Sequence, residues 1–186
     1  MRTRSILAAA TLALCAAPLS ACVQNRTLGE GIDDVGADLN LKRQLLFDKD
    51  IKTADVDLAV FEGRLLLAGT VPSEADYEGL LQRARTVGSI REVIDEVRIG
   101  AKTTRGQGLK DAAIDQKLGA ALLADNGVYR SNYQVVVSQG TVYLLGVAQG
   151  PNELRRVTDH ASTIDGVTNV VSHVVFVGDP KRQGER

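Results

Sequence analysis

The chain has 186 residues, 44% of them hydrophobic and 24% charged, with a formal net charge of −1. This balance argues against a protein devoted to nucleic acid, which would carry a clear excess of positive charge. After the first 21 residues no apolar run approaches the roughly 18 residues that a membrane-spanning helix needs, so we expect no span of the bilayer beyond the leader.

Residues 1–21 have the three parts of a bacterial export signal: a basic start with Arg2 and Arg4, an apolar run, and small residues. The run ends in Leu-Ser-Ala-Cys at residues 19–22, which resembles the lipobox of bacterial lipoproteins. We therefore predict a lipoprotein signal peptide over 1–21, cut before Cys22. The resemblance implies a diacylglycerol and an N-acyl chain on Cys22, and several chains on one residue suffice for stable anchoring.

The leader also determines the redox chemistry and the expected location. A disulfide between Cys15 and Cys22 is excluded because Cys15 leaves with the signal peptide, so the mature chain has one cysteine. By resemblance to Gram-negative lipoproteins, Val23 in place of an aspartate implies sorting to the outer membrane, facing the periplasm. Residues 22–36 are mostly polar and contain scattered glycines. They are expected to form a flexible lipidated tether of at most about 50 Å.

Residues 37–100 contain the pattern of one small domain. Alternating apolar and polar residues indicate strands, and the 3.6-residue period indicates helices. The three leucines of 65–67 are apolar on both faces, which is typical of a central strand. The last strand follows a helix, so we expect it to be parallel to the strand before that helix. The predicted elements in chain order are a helix over 38–48, a strand over 56–60, a turn at 62–63, a strand over 64–69, a helix capped by Ser73, and a strand over 93–99.

The same pattern recurs 77 residues later without a gap. Gly63 corresponds to Gly140 and Gly69 to Gly146, and the apolar residues shift by the same interval. We therefore predict two copies of an αββαβ domain, at 37–100 and 109–178. Residues 101–108 hold glycines and are predicted to be a linker, and the polar residues 179–186 are predicted to be a disordered tail.

The repeated unit resembles the BON domain, through its order of elements and the closing segment Ile-Asp-Gly-Val-x-x-Val at 164–170. The first copy departs from this segment at 87–90, where the glycine is one residue earlier. The resemblance implies an α+β fold of two tandem BON-like domains, each a three-stranded mixed sheet with two helices on one face. It also implies association with phospholipid and with envelope integrity, as in the dual-BON outer-membrane lipoproteins.

No constellation of residues predicts catalysis. His160 and His173 have no cysteine or second histidine at ligand spacing, and a solvent-facing or structural histidine is the better interpretation of each. The acids at 48, 50, 55 and 57 lack the spacing of a calcium loop and are better explained as a solvated face. We therefore predict no enzyme activity, no metal, no cofactor other than the acyl chains, no nucleic acid and no small-molecule substrate.

Charge differs between the two copies. Residues 38–100 hold nine basic and twelve acidic residues, whereas residues 101–178 hold seven basic and six acidic ones. The second copy is therefore the better candidate to face anionic lipid. The family resemblance points to its first helix, but Asp111 and Asp115 oppose the lysines there, and an ordinary core-packing helix stays an equal alternative. The predicted lipid contacts are Lys110, Ala113, Ile114 and Lys117.

The sheet face opposite the helices also differs between the copies. In the second copy it is larger and uncharged, and an apolar patch of this kind usually has a partner. We expect the other domain, the chain's own termini or another protein to cover it. Its residues are Val136, Tyr143, Leu145, Val171 and Val175, against Ala59, Leu66, Ala68, Ile94 and Arg98 in the first copy.

These observations together predict a non-enzymatic envelope lipoprotein that binds a phospholipid surface and helps to maintain the outer membrane. The alternative is a periplasmic scaffold for envelope assembly with no lipid affinity beyond its acyl anchor.

Overall fold

The computed structural model describes residues 51–183. The predicted signal peptide, Cys22, the tether and the helix over 38–48 lie outside these residues. The described elements are β1 (Asp55–Phe61), β2 (Arg64–Val71), α1 (Glu74–Arg85), β3 (Glu92–Ile99), α2 (Arg105–Ala124), a 3₁₀ turn (Arg130–Asn132), β4 (Tyr133–Ser138), β5 (Thr141–Ala148), α3 (Pro151–Ser162), β6 (Asn169–Phe176) and the short α4 (Pro180–Gln183).

The strands form two three-stranded sheets, in the orders β1-β2-β3 and β4-β5-β6. The first two strands of each sheet are antiparallel and the last two are parallel. The central strands β2 and β5 are buried along their whole length, because each has a neighbouring strand on both edges and packed side chains on both faces. The predicted mixed sheets with an apolar central strand are thereby confirmed.

Two kinds of glycine explain the strict spacing of the repeat. Each hairpin turns through two residues with positive φ, at 62–63 and 139–140, as a tight two-residue loop requires. Further along each central strand, Gly69 and Gly146 lie against the start of the preceding strand. A Cβ at Gly146 would lie 2.0 Å from the carbonyl oxygen of Asn132. These four glycines are therefore fixed by the backbone path.

The helix starts follow the predicted capping. The Ser73 hydroxyl accepts a hydrogen bond from the backbone N–H of Asp76 at 3.2 Å, so Ser73 is the N-cap of α1. Helix α3 begins at Pro151, where the missing N–H costs no helical hydrogen bond.

The two sheets pack face to face, and helices α1, α2 and α3 lie on the outer faces. Helix α1 covers the outer face of the first sheet, and α2 and α3 cover that of the second. The inner faces form one shared cluster, in which Tyr143 is 3% exposed. All five residues of the predicted covered face lie in or against this cluster, so the first domain is what covers them. Burial raises the pKa of the Tyr143 hydroxyl, as expected between two sheets.

The predicted linker over 101–108 is too long. Helix α2 already begins at Arg105, because Thr104 caps it by accepting a hydrogen bond from the backbone N–H of Gln107 at 3.2 Å. Gly106 and Gly108 fall in its exposed first turns, within the segment that was predicted to be a linker. Residues 101–104 are the part of this segment that is not helical.

The predicted disorder of the tail is also wrong for its first residues. Helix α4 follows β6, and the Arg182 guanidinium pairs with the Glu62 carboxylate through bonds of 2.7 and 2.9 Å. The side chain of Glu62 is 2% exposed. A carboxylate so deeply buried needs charged or hydrogen-bonded partners, and Arg182 is one of them. The tail thus contacts the first domain's hairpin turn.

Candidate functional site

Helix α2 has two different apolar faces. The inner face packs on the second sheet through Ile114, Leu118 and Leu122. The outer face carries mostly apolar and small side chains that are exposed among the described residues, and Leu109 and Leu123 at its two ends are 74% and 77% exposed. At 100° per residue these side chains fall on one stripe, opposite the buried one. We call this set the outer stripe: Leu109, Ala113, Gln116, Ala120 and Leu123.

The structure separates the four predicted lipid-contact residues. Lys110, Ala113 and Lys117 are exposed, Ala113 on the outer stripe and the two lysines along one side of it. Ile114 is 2% exposed and belongs to the core of the second domain. Its prediction as a lipid contact is therefore wrong. Ile114 follows the exposed Ala113 by one residue, and this step of about 100° around the helix directs its side chain toward the sheet.

Sequence reasoning missed Leu109 and Leu123, although the signal was present. The outer stripe follows steps of four, three, four and three residues from 109 to 123, which is the spacing of one helix face. The inner face follows steps of three, four and four residues over 111, 114, 118 and 122, which is also the spacing of one helix face. Two interleaved apolar stripes make a helix look buried all round, and the pattern alone does not say which stripe is covered.

Asp111 does not oppose the lysines. Its carboxylate is turned inward and accepts hydrogen bonds from the backbone N–H groups of Gln139 and Gly140, both at 2.9 Å, and from the Gln107 amide at 2.8 Å. Asp111 thus fixes the N-terminal half of α2 to the hairpin turn between β4 and β5. The exposed charges of α2 are then Arg105, Lys110 and Lys117 against Asp115, so the solvent side of the helix is positive.

The C-terminal end of α2 is fixed to α3. The Asp125 carboxylate contacts His160 Nε2 at 2.8 Å and Arg156 Nη1 at 3.1 Å. The hydrogen bond with His160, together with one from the backbone N–H of Gly127, lowers the pKa of Asp125 below its usual value. A carboxylate at a helix C-terminus is unfavourable for the helix dipole, and the two basic partners offset this effect. Helix α2 is therefore held rigidly at both ends.

Polar contacts link the two domains beside the shared apolar cluster. His173 Nε2 lies 2.8 Å from Glu96 Oε1, and the Arg64 guanidinium donates to the His173 carbonyl oxygen at 2.7 Å. Glu96 and His173 are equivalent residues of the two copies, 77 residues apart. This contact therefore joins equivalent positions of the two copies across the interface between the domains.

Among the described residues, neither histidine lies in a metal-binding arrangement. Within residues 51–183 no group of three or more histidine, cysteine, aspartate or glutamate side chains could hold a metal ion. His160 and His173 each contact one carboxylate from another element. A structural role was expected for His173. His160 was expected to face solvent, and it instead contacts Asp125. In the same part of the chain, no helix is long and apolar enough to cross a bilayer.

The family model of the BON domain matches residues 33–101 and again residues 110–178. The chain belongs to the BON-domain family. The described αβ units at 55–99 and 105–176 are thus its two BON domains, and the predicted α+β fold of tandem BON domains is confirmed.

Several characterised and uncharacterised proteins are similar over most of their length. The chain is 29% identical over 148 residues to outer membrane lipoprotein DolP of Haemophilus influenzae, covering 78% of this chain and 76% of DolP. It is 28% identical over 145 residues to osmotically-inducible protein Y of Escherichia coli, covering 77% and 72%. An uncharacterized protein of Anaplasma centrale is 31% identical over 144 residues, covering 77% and 94%.

Solved structures of CdsD, a structural protein of the type III secretion system of Chlamydia trachomatis, are more distant. One of them covers 77% of this chain and 91% of its own, with 15% identity and a TM-score of 0.33.

Proposed function

We propose that this protein is a non-enzymatic lipoprotein of the bacterial envelope that binds anionic phospholipid surfaces through the outer stripe of α2 and helps to maintain the outer membrane. The observation that carries the proposal is the outer stripe itself: two largely exposed leucines on a rigid helix, flanked by Lys110 and Lys117. An apolar face beside exposed cations is the pattern of a helix that lies in a membrane interface.

The magnitudes indicate weak binding by α2 alone. Moving an exposed leucine into an apolar environment contributes about 2 kcal/mol, so Leu109 and Leu123 together supply about 4 kcal/mol. Each lysine near an anionic surface adds about 1 kcal/mol, which salt reduces. The loss of translational and rotational freedom offsets much of this sum. The helix therefore needs a second attachment to stay on the membrane.

Acylation of Cys22 would supply that attachment. Residues 22–36 would then act as the tether that holds the BON domains near the lipid and raises the local concentration of the outer stripe. Because the stripe spans 14 residues of helix, or roughly 21 Å, both leucines can reach the interface when α2 lies parallel to the surface.

The relatives support the same compartment. The name of DolP describes an outer-membrane lipoprotein, and that of the Escherichia coli relative describes induction by osmotic stress. We infer that this chain lies at the periplasmic face of the outer membrane, anchored by a diacylglycerol and an N-acyl chain on Cys22. An envelope protein partner fits this location as well.

Liposome flotation tests the lipid contact. The mature chain, residues 22–186, carrying Cys22→Ala should float with vesicles of anionic phospholipid at low salt and less at high salt. Leu109→Ser with Leu123→Ser, or Lys110→Glu with Lys117→Glu, should abolish flotation without lowering the thermal stability. The matched control is Arg85→Glu with Arg155→Glu, two exposed cations on other helices, which should float like the unchanged protein.

The alternative, an assembly scaffold without lipid affinity, is favoured if the Cys22→Ala chain stays at the bottom of the gradient at low salt. Equal losses in the Lys110/Lys117 and Arg85/Arg155 pairs would show that net charge matters and that α2 does not.

A further inference from the structure

A second surface of the second domain lies at the open edge of β4. There a groove of about 350 Å³ separates three elements of the fold. Its floor is the strand segment 135–138, and one wall comes from the start of β1 and the residue before it. The other wall comes from the N-terminal half of α2, with Thr103 at its mouth. The wall residues are Ala54, Asp55, Asp57 and Leu58 on one side, and Gly108, Asp111, Ala112 and Asp115 on the other.

Within the part of the chain that the structure describes, the floor of this groove presents backbone groups with no strand partner. Strand β4 pairs with β5 on one edge, and residues 51–183 provide no strand on its other edge. In the two-residue hairpin, Ser138 and Thr141 form the closing pair, so Ser138 and Val136 point their backbone N–H and C=O groups toward β5. Val135 and Val137 then point theirs outward, into the groove. Such an edge is a template for another strand.

The walls make the groove a slot in the plane of the second sheet. Strand β1 belongs to the sheet that packs on the inner face, and α2 packs on the outer face. A segment entering between them would continue the sheet beyond β4, with its side chains alternately toward β1 and toward α2. The floor of four residues is roughly 13 Å long, so the slot accepts a short extended segment.

The charge of the slot selects its occupant. Asp55 lies on the β1 wall, Asp115 lies on the α2 wall, and no lysine, arginine or histidine is among the lining residues. Within the described part of the chain, Asp55 and Asp115 form no ion pair. The deeper Asp111 is already occupied by the hairpin backbone. The floor between the carboxylates is three valines and Ser138, so the complementary strand is apolar on one face and basic on the face that meets an aspartate.

We propose that the edge of β4 is a peptide-binding site that takes an extended segment of alternating apolar and basic residues as a fourth strand of the second sheet. Backbone hydrogen bonds to Val135 and Val137 supply the affinity, and Asp55 or Asp115, according to which wall the basic side chains face, supplies the preference for lysine or arginine. A second copy of this chain does not fit, because its own β4 edge would bring a second set of the same carboxylates. The site is separate from the outer stripe of α2, which faces away from the sheet.

Fluorescence anisotropy with designed peptides tests this inference. The probe is a labelled ten-residue peptide of alternating lysine and valine, added to residues 22–186 carrying Cys22→Ala. We expect measurable binding, and no binding of the same peptide with glutamate for lysine. Asp55→Asn with Asp115→Asn should weaken the lysine peptide about threefold, since the lysines of an alternating strand all face one wall and one exposed ion pair is lost. The matched control is Asp159→Asn with Asp165→Asn, exposed acids outside the slot, and it should leave the affinity unchanged.

The backbone contribution needs a separate measurement. Methylating alternate backbone nitrogens of the peptide removes its donors and should abolish binding, while hydrogen exchange at Val135 and Val137 should slow when the unmodified peptide binds. The proposal is overturned if the methylated peptide binds with full affinity. It is also overturned if Asp55→Asn with Asp115→Asn and Asp159→Asn with Asp165→Asn lower the affinity equally, because net charge would then explain the binding. Slow exchange of both amides in the free protein would overturn it too, because the chain itself would then fill the slot.

Discussion

Asp111 offers the sharpest test of how α2 is held in place. Replacing it with alanine removes the acceptor of two backbone N–H groups and one side-chain amide. Gln139 is half-exposed, so water can replace the carboxylate at its N–H, whereas the N–H of Gly140 is buried and stays unsatisfied. One buried donor without a partner costs about 1–3 kcal/mol and the loss of the charged hydrogen bonds about 1 kcal/mol more. We expect Asp111→Ala to lower the free energy of unfolding by about 2–4 kcal/mol.

Urea unfolding followed by circular dichroism measures this change, and hydrogen exchange at Gly140 locates it. Asp115→Ala is the control, because this neighbouring carboxylate is exposed and its loss should change stability by less than about 0.5 kcal/mol. Asp111→Asn keeps one acceptor oxygen and should fall between the two. If Asp111→Ala and Asp115→Ala unfold at the same urea concentration, the Asp111 carboxylate does not hold the turn as the distances indicate.

Two further predictions concern other contacts. Gly146→Ala should destabilise the protein by more than about 3 kcal/mol, because the new Cβ would overlap the Asn132 carbonyl and φ is +153°. Gly119 lies on α2 with open space around it, so Gly119→Ala should instead stabilise the protein by about 0.8 kcal/mol. Thermal melting measures both variants, and equal shifts of their melting temperatures would contradict this reasoning. For Asp125, whose folded-state pKa is lowered, the stabilisation is complete above its usual value of 3.8 and is lost as the pH falls through the lowered pKa. Asp125→Asn should therefore flatten the loss of stability below about pH 4 in acid titrations, and an unchanged titration would contradict the ion-pair cluster with His160 and Arg156.

The divergence of the copies bears on where binding can occur. The residues that they share are turn glycines and apolar core residues, and the structure places these within each domain. Glu96 and His173 are equivalent but different residues, and their contact joins the domains. The outer stripe and the slot both involve α2. We therefore expect binding at surfaces of the second copy that the first copy does not share. The residues common to both copies account for folding.

The sequence by itself determined the repeat, the order of strands and helices, the mixed sheets and the hairpin turns. These depend on local spacing: a two-residue turn needs positive φ at both residues, a cap needs an oxygen before the helix, and alternation marks a half-buried strand. Each of these signals is complete within a few neighbouring residues, and so they could be predicted.

The tertiary structure alone decided which surfaces are covered. The sequence indicated that the face of Tyr143 needs a cover, and the packing of the first sheet on it supplied one. Ile114 and Leu109 are both apolar residues of one helix, and only the sheet beneath α2 makes the first a core residue and the second a surface residue. The linker length and the docking of Arg182 on Glu62 likewise depend on residues distant in sequence. Burial is a property of the partner surface, and the residue pattern of a single element does not contain its partner.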